Sequence, residues 1–429
     1  MIWPTKKLGE ICEKIKAGGT PSRKNPKYWD GEIPFIKIED ITSTKLYLEN
    51  TQEKITQEGL NNSNAWILPP NSILFSIYAS IGEVAINKVP VATNQAILGL
   101  IPKKSIIDFK FLAYALKKFG KYLISYNIQS TQKNLTLEIV KNLEIPLPPL
   151  PIQQKIVKVL DTIQEAIEIQ EKIIEKTKEL KKSLMNLLFH YGLAGLRVKE
   201  LASLRVGELT SSDIEKLGLK LKKTEIGEIP EHWEVVKIKD VHKWKVNLIN
   251  PKDFPNEEFE YYSIPAFHEK GLPLRIYGKK IGSSKILIEP GTILFGKLNP
   301  KLPKVWLARN FYEGLRKIAT TEFLPLISTE KIDPFFSFYL MESWFVLPIA
   351  QAAVDGSTTS RQRISPDSFY SIKIPLPPLP EQQEIADILQ TIDQKIEIEK
   401  KKKELYEELF KTLLNKIMNQ EINIENIEI

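Results

Sequence analysis

The sequence predicts an α/β (α+β) protein built as a tandem repeat. Two similar globular domains are each followed by a long helix, and the helices pair as an antiparallel coiled coil that relates the halves by an approximate two-fold axis. Three observations lead there. Residues 145–161, IPLPPLPIQQKIVKVLD, return almost unchanged as residues 374–390, IPLPPLPEQQEIADILQ. After each proline run comes a long stretch free of Gly and Pro with apolar residues at helical spacing. Before each run lies a region of short β-like segments set off by Gly, Pro and Asn.

The repeat extends well beyond the proline runs, which is why it decides the architecture. Trp3, Leu8 and Ile11 are echoed by Trp233, Ile238 and Val241 at the same internal spacing. Midway, Leu68-Pro-Pro-Asn-Ser-Ile-Leu-Phe75 parallels Ile288-Glu-Pro-Gly-Thr-Ile-Leu-Phe295. Between these anchors the copies diverge, so one framework carries two different contents. The segments are expected at 1–151 (globule), 152–190 (helix), 191–229 (linker), 230–380 (globule) and 381–429 (helix).

Within the first globule, Ile33–Ile38, Ser72–Ile77 and Glu83–Ile86 read as strands. Phe109 to Tyr122 reads as a helix with an apolar face at Phe111, Leu112, Ala115, Leu116 and Phe119. The proline run that follows excludes a helix interior and imposes an extended entry.

In the first long helix, Ile152 to Phe189, the seam is read as Ile156, Leu160, Ile163, Ile167 and Ile174, continued after a shift by Leu180, Leu184 and Leu187. In the second it is Ile385, Leu389, Ile392 and Ile396, then Leu405, Leu409, Leu413 and Ile417. Such a helix is roughly 55 Å long, more than a globule of this size can cover. The expectation is therefore that the two helices pair with each other. Their alternating Lys and Glu form the solvated face.

Composition bounds the function. The chain has 429 residues, 42% hydrophobic and 26% charged, with a net charge of +7; that length calls for more than one core, and the mild excess of base favours a polyanionic partner. A single cysteine, Cys12, precludes an internal disulfide and, together with the lack of an apolar run of signal or membrane-spanning length, points to the cytoplasm. His190, His232, His242 and His268 have no metal-ligand spacing, so no metal site is expected.

No catalytic residues are expected either. Gly291-Thr-Ile-Leu-Phe-Gly-Lys297 has P-loop spacing, but Leu298 stands where Ser or Thr must meet magnesium and Asn299-Pro300 stops the required helix. No glycine-rich cofactor loop or Asn/Asp-Pro-Pro-aromatic run suggests a methyltransferase. Glu399-Lys400-Lys401, the nearest approach to a nuclease cluster, lies on a helix and reads as solvent face. A binding protein follows.

Residues 17–41, AGGTPSRKNPKYWDGEIPFIKIEDI, resemble the opening of a target recognition domain in the specificity subunit of type I restriction-modification enzymes. Further pieces that resemble this family are Ser80–Ile86, Thr93–Ala96, Gln129–Asn134, the IPLPPLPxQQ helix starts, and Lys223–Trp233 opening the second copy. The second copy lacks the GGTP…YW pattern, so its alignment rests on the framework. The resemblance implies a non-catalytic subunit that binds a bipartite double-stranded DNA target, one half-site per domain, with the helices setting their distance. It further implies docking of two adenine methyltransferase subunits and of restriction-translocase subunits. S-adenosylmethionine, ATP and magnesium would be used by those partners, and this chain would bind no cofactor. The competing reading is a coiled-coil scaffold joining two ligand-binding domains without any DNA role.

Candidate DNA contacts are polar and basic residues on Gly/Ser/Thr-rich loops, since Lys and Arg meet phosphate while amides, hydroxyls and forked donors read base edges. In the first domain these are Lys16, Gly18, Gly19, Thr20, Ser22, Arg23, Lys24 and Lys27, together with Tyr78, Ser80, Asn94, Gln95, Gln129, Thr131, Gln132 and Lys133. In the second they are Lys297, Asn299, Lys301, Lys304, Ser357, Thr358, Thr359, Ser360, Arg361, Gln362 and Arg363. Gly18-Gly19 reads equally well as a tight turn, and Tyr28 and Trp29 read as core aromatics.

Overall fold

The structure is a computed structural model that describes residues 3–78, 80–127, 135–196, 220–244, 247–269, 271–299, 302–355 and 362–424. The chain divides into two compact units, Met1–Glu171 with Lys401–Ile429, and Lys172–Lys400.

In the first unit a five-stranded sheet runs in the order Cys12–Ala17, Ile97–Pro102, Ile73–Ser76, Val84–Asn87, Tyr47–Leu48. The central strand, Ile73–Ser76, is buried on both faces, so its residues alternate between two cores. Ile73 and Phe75 pack with Phe111, Leu112, Ala115 and Leu116 of the helix Phe109–Asn127. Leu74 points the other way, to Ile36, Trp66, Leu68 and Ala85. A smaller sheet, Glu53–Ile55, Trp29–Ile36, Ala92–Thr93, lies in a separate cluster around Phe35 and Ile55.

The second unit repeats the plan. Its four-stranded sheet is ordered His242–Lys243, Phe323–Ser328, Ile293–Gly296, Val305–Leu307. Ile293 and Phe295 face Phe336, Tyr339 and Leu340, while Leu294 faces Tyr262 and Trp306. The second sheet has grown to five strands, but keeps the parallel pair Glu258–Tyr262 and Arg316–Ala319, the counterpart of Trp29–Ile36 and Ala92–Thr93. The turn before each central strand is left-handed in both copies, at Asn71 (φ 66) and at Gly291 (φ 87). The segment with P-loop spacing is thus a turn and a strand, Ile293–Gly296, with no helix following Lys297.

The long helices span Leu150–Tyr191 and Leu379–Met418. Both begin earlier than expected, because proline is tolerated in a first turn whose N–H groups have no helical partner. Each unit contains half of each helix, and within each unit the two run antiparallel. In the first, Ile156 and Leu160 share a core with Leu414, Ile417 and Met418, while Glu171 pairs with Lys403 at 3.0 Å. In the second, Leu188 and Phe189 lie with Ile385 and Leu389, and Lys181 reaches Asp393 at 2.7 Å. Sequence segments that treat globule and helix as separate bodies therefore differ from the packing, where a half-helix completes each globule's core.

The seam residues Ile156, Leu160, Ile163, Ile167, Ile174, Leu184, Ile385, Leu389 and Ile396 are buried, and Ile392 is half-buried. One correction concerns the seam: Leu180, expected in the seam of the first helix, is exposed, and of the expected last stretch of the second helix only Ile417 is buried. Leu405 and Leu409 are exposed at 64% and 44%, Leu413 is half-buried, and the buried residues are Leu414, Ile417 and Met418, with Phe410 beside them. Leu405, Leu409 and Leu413 step by fours, and on a helix of 3.6 residues per turn each such step drifts about 40° around the axis. Steps of four and three, as in 410, 414 and 417, keep one face.

A second correction concerns the linker expected at 191–229. Residues 197–219 lie outside the described residues, but Leu221–Thr224 and Gly227–Pro230 form a hairpin that turns at Glu225 and Ile226, with Gly227 (φ 110) opening its second strand. Ile229 is fully buried in the second unit's core.

Both helix starts are anchored by the same buried amide. Gln153 donates to the carbonyls of Pro148 (2.8 Å) and Ile106 (3.1 Å) and accepts from the Asp108 N–H (2.8 Å). Gln382 donates to Pro377 (2.8 Å) and Lys331 (3.1 Å) and accepts from Asp333 (2.8 Å). Asp108 and Asp333 in turn cap the helices Phe109–Asn127 and Pro334–Met341. Six residues on, Tyr114 donates to Asp161 at 2.6 Å and Tyr339 to Asp393 at 2.7 Å.

Candidate nucleic-acid interface

Both central strands end in one arrangement of backbone hydrogen bonds that gathers loops from distant parts of the sequence. In the first unit the residue after the strand, Ile77, donates to Ala96 O (2.9 Å) and accepts from Leu135 N (3.3 Å). In the second, Lys297 donates to Glu322 O (3.0 Å) and accepts from Ile364 N (3.0 Å). The loop after the central strand, the loop before its antiparallel neighbour and the segment leading to the next short helix thus converge at one end of each sheet. Buried backbone needs these partners, so the convergence belongs to the framework, while the side chains on it are free to differ.

In the first unit a further loop joins them. Gly18 N donates to Ile97 O (3.1 Å) and Gly19 N to Thr93 O (2.9 Å). Both glycines are buried, and a Cβ would stand 2.1 Å from Thr93 O at Gly18 and 2.6 Å from Ala65 N at Gly19. They are required by close packing of the chain on itself. Their neighbours face outward: exposed Thr20 donates to exposed Gln95 at 2.6 Å. Asn94 is turned inward, its Oδ1 accepting from Ala96 N at 3.0 Å.

Arg23 lies flat over Trp29, 3.6 Å from the ring centroid, and pairs with Glu53 at 2.6 Å. Glu53 also accepts from Lys37 at 2.8 Å. Burial opposes ionisation of Glu53, but the hydrogen bonds from Lys37 and Arg23 prevail and hold its carboxyl below the ordinary value. Ser22 O accepts from Trp29 Nε1 at 3.2 Å, which fixes the ring under the guanidinium. Trp29, read from sequence as a core aromatic, is half-buried and serves as the platform for Arg23. Lys24 and Lys27 are exposed on the same loop, as are Tyr78 and Ser80 after the central strand. Lys16 is exposed with its ammonium 5.9 Å from the Trp66 ring. Gln129, Thr131, Gln132 and Lys133 lie outside the described residues.

In the second unit Asn299 N donates to Gln362 O at 2.8 Å, Leu298 bridges to Arg363, and Arg363 pairs with Glu322 at 3.2 Å. Lys297, Asn299 and Gln362 are half-buried and Arg363 is exposed. Lys304 corrects an expectation. Its side chain is buried, and the ammonium donates to the carbonyls of Leu298 (2.9 Å), Asn299 (3.3 Å) and Leu302 (2.8 Å). Burial pushes its pKa down. It stitches its own loop and is turned away from solvent, an orientation that no local pattern of sequence announces. Lys301 and Ser357, Thr358, Thr359, Ser360 and Arg361 lie outside the described residues.

Among the described residues no group of three or more His, Cys, Asp or Glu side chains is placed to hold a metal ion, and no helix is long and apolar enough to cross a membrane. The exposed groups at the loop ends are amides, hydroxyls, guanidinium and ammonium, a set suited to binding a polyanion and reading hydrogen-bonding edges.

Comparison with known proteins agrees with this geometry. The family described as type I restriction modification DNA specificity domain matches twice, over residues 2–179 and 230–408. The MjaVIII and MjaIX type I restriction enzyme specificity subunits of Methanocaldococcus jannaschii are 28% and 26% identical to the chain, each over 99% of it and 94% of their own length. A crystal structure of the type I restriction-modification S subunit from M. genitalium superposes with a TM-score of 0.54 at 16% identity, covering 96% of this chain and 95% of that one. With the repeat, the paired helices and the doubled loop arrangement in place, the chain belongs to the type I restriction-modification DNA specificity family.

Proposed function

We propose that the chain confers sequence specificity on a type I restriction-modification complex by reading a bipartite duplex, one half-site with each unit, and that it performs no chemistry itself. The observation that carries this reading is the doubled loop arrangement: one backbone framework at Ile77 and Lys297, with different side chains mounted on each. A framework that repeats while its exposed amides and cations differ suits two half-sites of different sequence. Two methyltransferase subunits, bringing S-adenosylmethionine, and restriction-translocase subunits using ATP and magnesium would dock on this chain.

The test is a bound-site selection from a randomised duplex library, repeated with residues 1–150 exchanged for another recognition domain of the family. One half of the selected target should change and the other persist. Affinity should fall steeply with salt, as counterion release requires. A protein that selects no duplex at any salt concentration would leave the scaffold reading standing.

A further inference from the structure

The loop arrangement of the second unit carries an imbalance of hydrogen-bonding groups. Asn299 Oδ1, Gln362 Oε1 and Glu322 Oε2 are all shielded from solvent and without a hydrogen-bond partner among the described residues. The three are brought together by the framework: Asn299 N donates to Gln362 O at 2.8 Å, and Arg363, next to Gln362, holds the other carboxylate oxygen of Glu322 at 3.2 Å. Asn299 is also one of the few residues other than glycine with a left-handed backbone, φ 46. Shielded acceptors without donors disfavour the free state, because their lost hydrogen bonds to water are not replaced. Residues held in sparsely populated backbone conformations cluster where a ligand is received.

With its oxygens so placed the cluster calls for a ligand that donates: the carboxylate can only accept, and each amide presents its oxygen although it also carries an NH2 group. Phosphate oxygens are acceptors and would be repelled by three further acceptors, so this is not a backbone contact; Lys297 and Arg363 alongside are suited to that. Among base edges in the major groove, guanine O6 and N7 and thymine O4 are acceptors too, whereas adenine N6 and cytosine N4 are donors. Asn299 and Gln362 are half-buried, so a change of rotamer turns their amide oxygens outward without disturbing the backbone bond between them.

Resting on the proposed DNA-reading role, we infer that Asn299 and Gln362 make the second unit specific for a base that presents an amino group in the major groove, adenine or cytosine, at one position of its half-site. Among the described residues the first unit differs: its Thr20 and Gln95 bond to each other, Glu53 is held by Arg23 and Lys37, and its one shielded side-chain oxygen without a partner is the hydroxyl of Thr93, which can donate as well as accept.

The experiment uses the full chain and the bound-site selection described above, with Gln362→Met and Asn299→Gly as acceptor-deleting variants and Gln362→Glu and Asn299→Asp as acceptor-retaining ones. Glycine is chosen at 299 because it tolerates the backbone conformation. The wild type should favour A or C over G or T at one position, and removing that base's amino group, with purine or pyrimidin-2-one as the replacement, should weaken binding roughly ten-fold or more. Gln362→Met should lose the preference at that position only, show no further loss with the amine-deleted duplex, and melt at the same temperature as the wild type or higher. Gln362→Glu and Asn299→Asp should keep the preference while binding all sequences more weakly. Unchanged preference in both acceptor-deleting variants, or loss at a position where G or T is required, overturns the inference while leaving the DNA-reading role intact. A wild-type protein that selects no duplex overturns both, and is distinguished because the failure precedes any substitution.

Discussion

Gln382 accepts a hydrogen bond from the backbone N–H of Asp333 at 2.8 Å, and its fully buried amide also donates to two carbonyls that lack a helical partner. The first glutamine of the pair in the repeated proline-run motif is thus the bolt between a long helix and the cap of the helix packed against it. Gln382→Leu would leave those carbonyls and one N–H unpaired in a dry site, at about 1–3 kcal/mol for each unsatisfied group. Urea denaturation is expected to show loss of stability on this scale, and the equivalent Gln153→Leu should do the same in the first unit. If either variant unfolds at the wild-type midpoint, the clamp contributes nothing.

Lys297 and Lys304 should separate by their salt dependence. Lys297→Ala removes a half-exposed cation beside the proposed DNA path, so the slope of log affinity against log salt should fall by about one. Lys304→Met removes a cation already bound to three carbonyls, so it should leave that slope unchanged while lowering thermal stability. Equal slopes for the wild type and Lys297→Ala would take Lys297 off the interface.

His242 makes the second unit sensitive to acid. It is buried, with Nε2 2.8 Å from Ser337 Oγ and Nδ1 3.0 Å from Ile238 O. Burial lowers its pKa from 6.5 to about 4, against a smaller opposing effect of the Ile238 carbonyl. The unfolded chain therefore binds a proton that the folded chain refuses between pH 6.5 and about 4. Stability from this group is present above 6.5 and drains away as the pH falls toward 4, by on the order of 3 kcal/mol at most. Thermal melts across that range should show it, and His242→Gln should flatten the dependence.

Cys12, at the matching position of the first copy, should be chemically silent. It is 4% exposed, and burial pushes its thiol up to about 12, with a smaller lowering from Lys103. Iodoacetamide at pH 8 should not label the native protein, but should label it in denaturant. Rapid labelling under native conditions would mean that the strand Cys12–Ala17 opens locally.

The framework was legible in the sequence because it is written twice. Trp3 and Trp233, the Leu-Phe strands and the proline runs recur at nearly constant spacing, and most of the long-helix seam follows from spacings of three and four. Leu405 and Leu409 misled because residues repeated by fours resemble a seam, whereas this series starts on the solvent face and drifts around the helix until Ile417 is buried. Among the loop residues, Thr20 meets Gln95 and Asn299 meets Gln362, pairs that share a loop type in the sequence but lie far apart in it. Their orientation was not legible, since Lys304 differs from Lys297 only through carbonyls that the fold brings around it. Trp29 under Arg23 carries no local signal distinguishing a platform from a core ring. The roles of Gln153 and Gln382 depend on carbonyls and an N–H some 50 residues away in sequence.

Leu414, Ile417, Met418 and Ile424 share a core with Trp3, Leu8 and Ile156, and Gln420 accepts from Trp3 N at 2.6 Å. A portion of chain synthesised early is therefore completed by one synthesised much later. At a ribosomal rate of roughly 5–20 residues per second, the apolar stripe at Ile156 and Leu160 waits on the order of tens of seconds for its cover. During that interval the uncovered apolar stripe leaves the nascent chain prone to aggregation. A premature stop codon anywhere before Leu414 would do its damage at the opposite end of the polypeptide, in a globule whose own codons were read correctly.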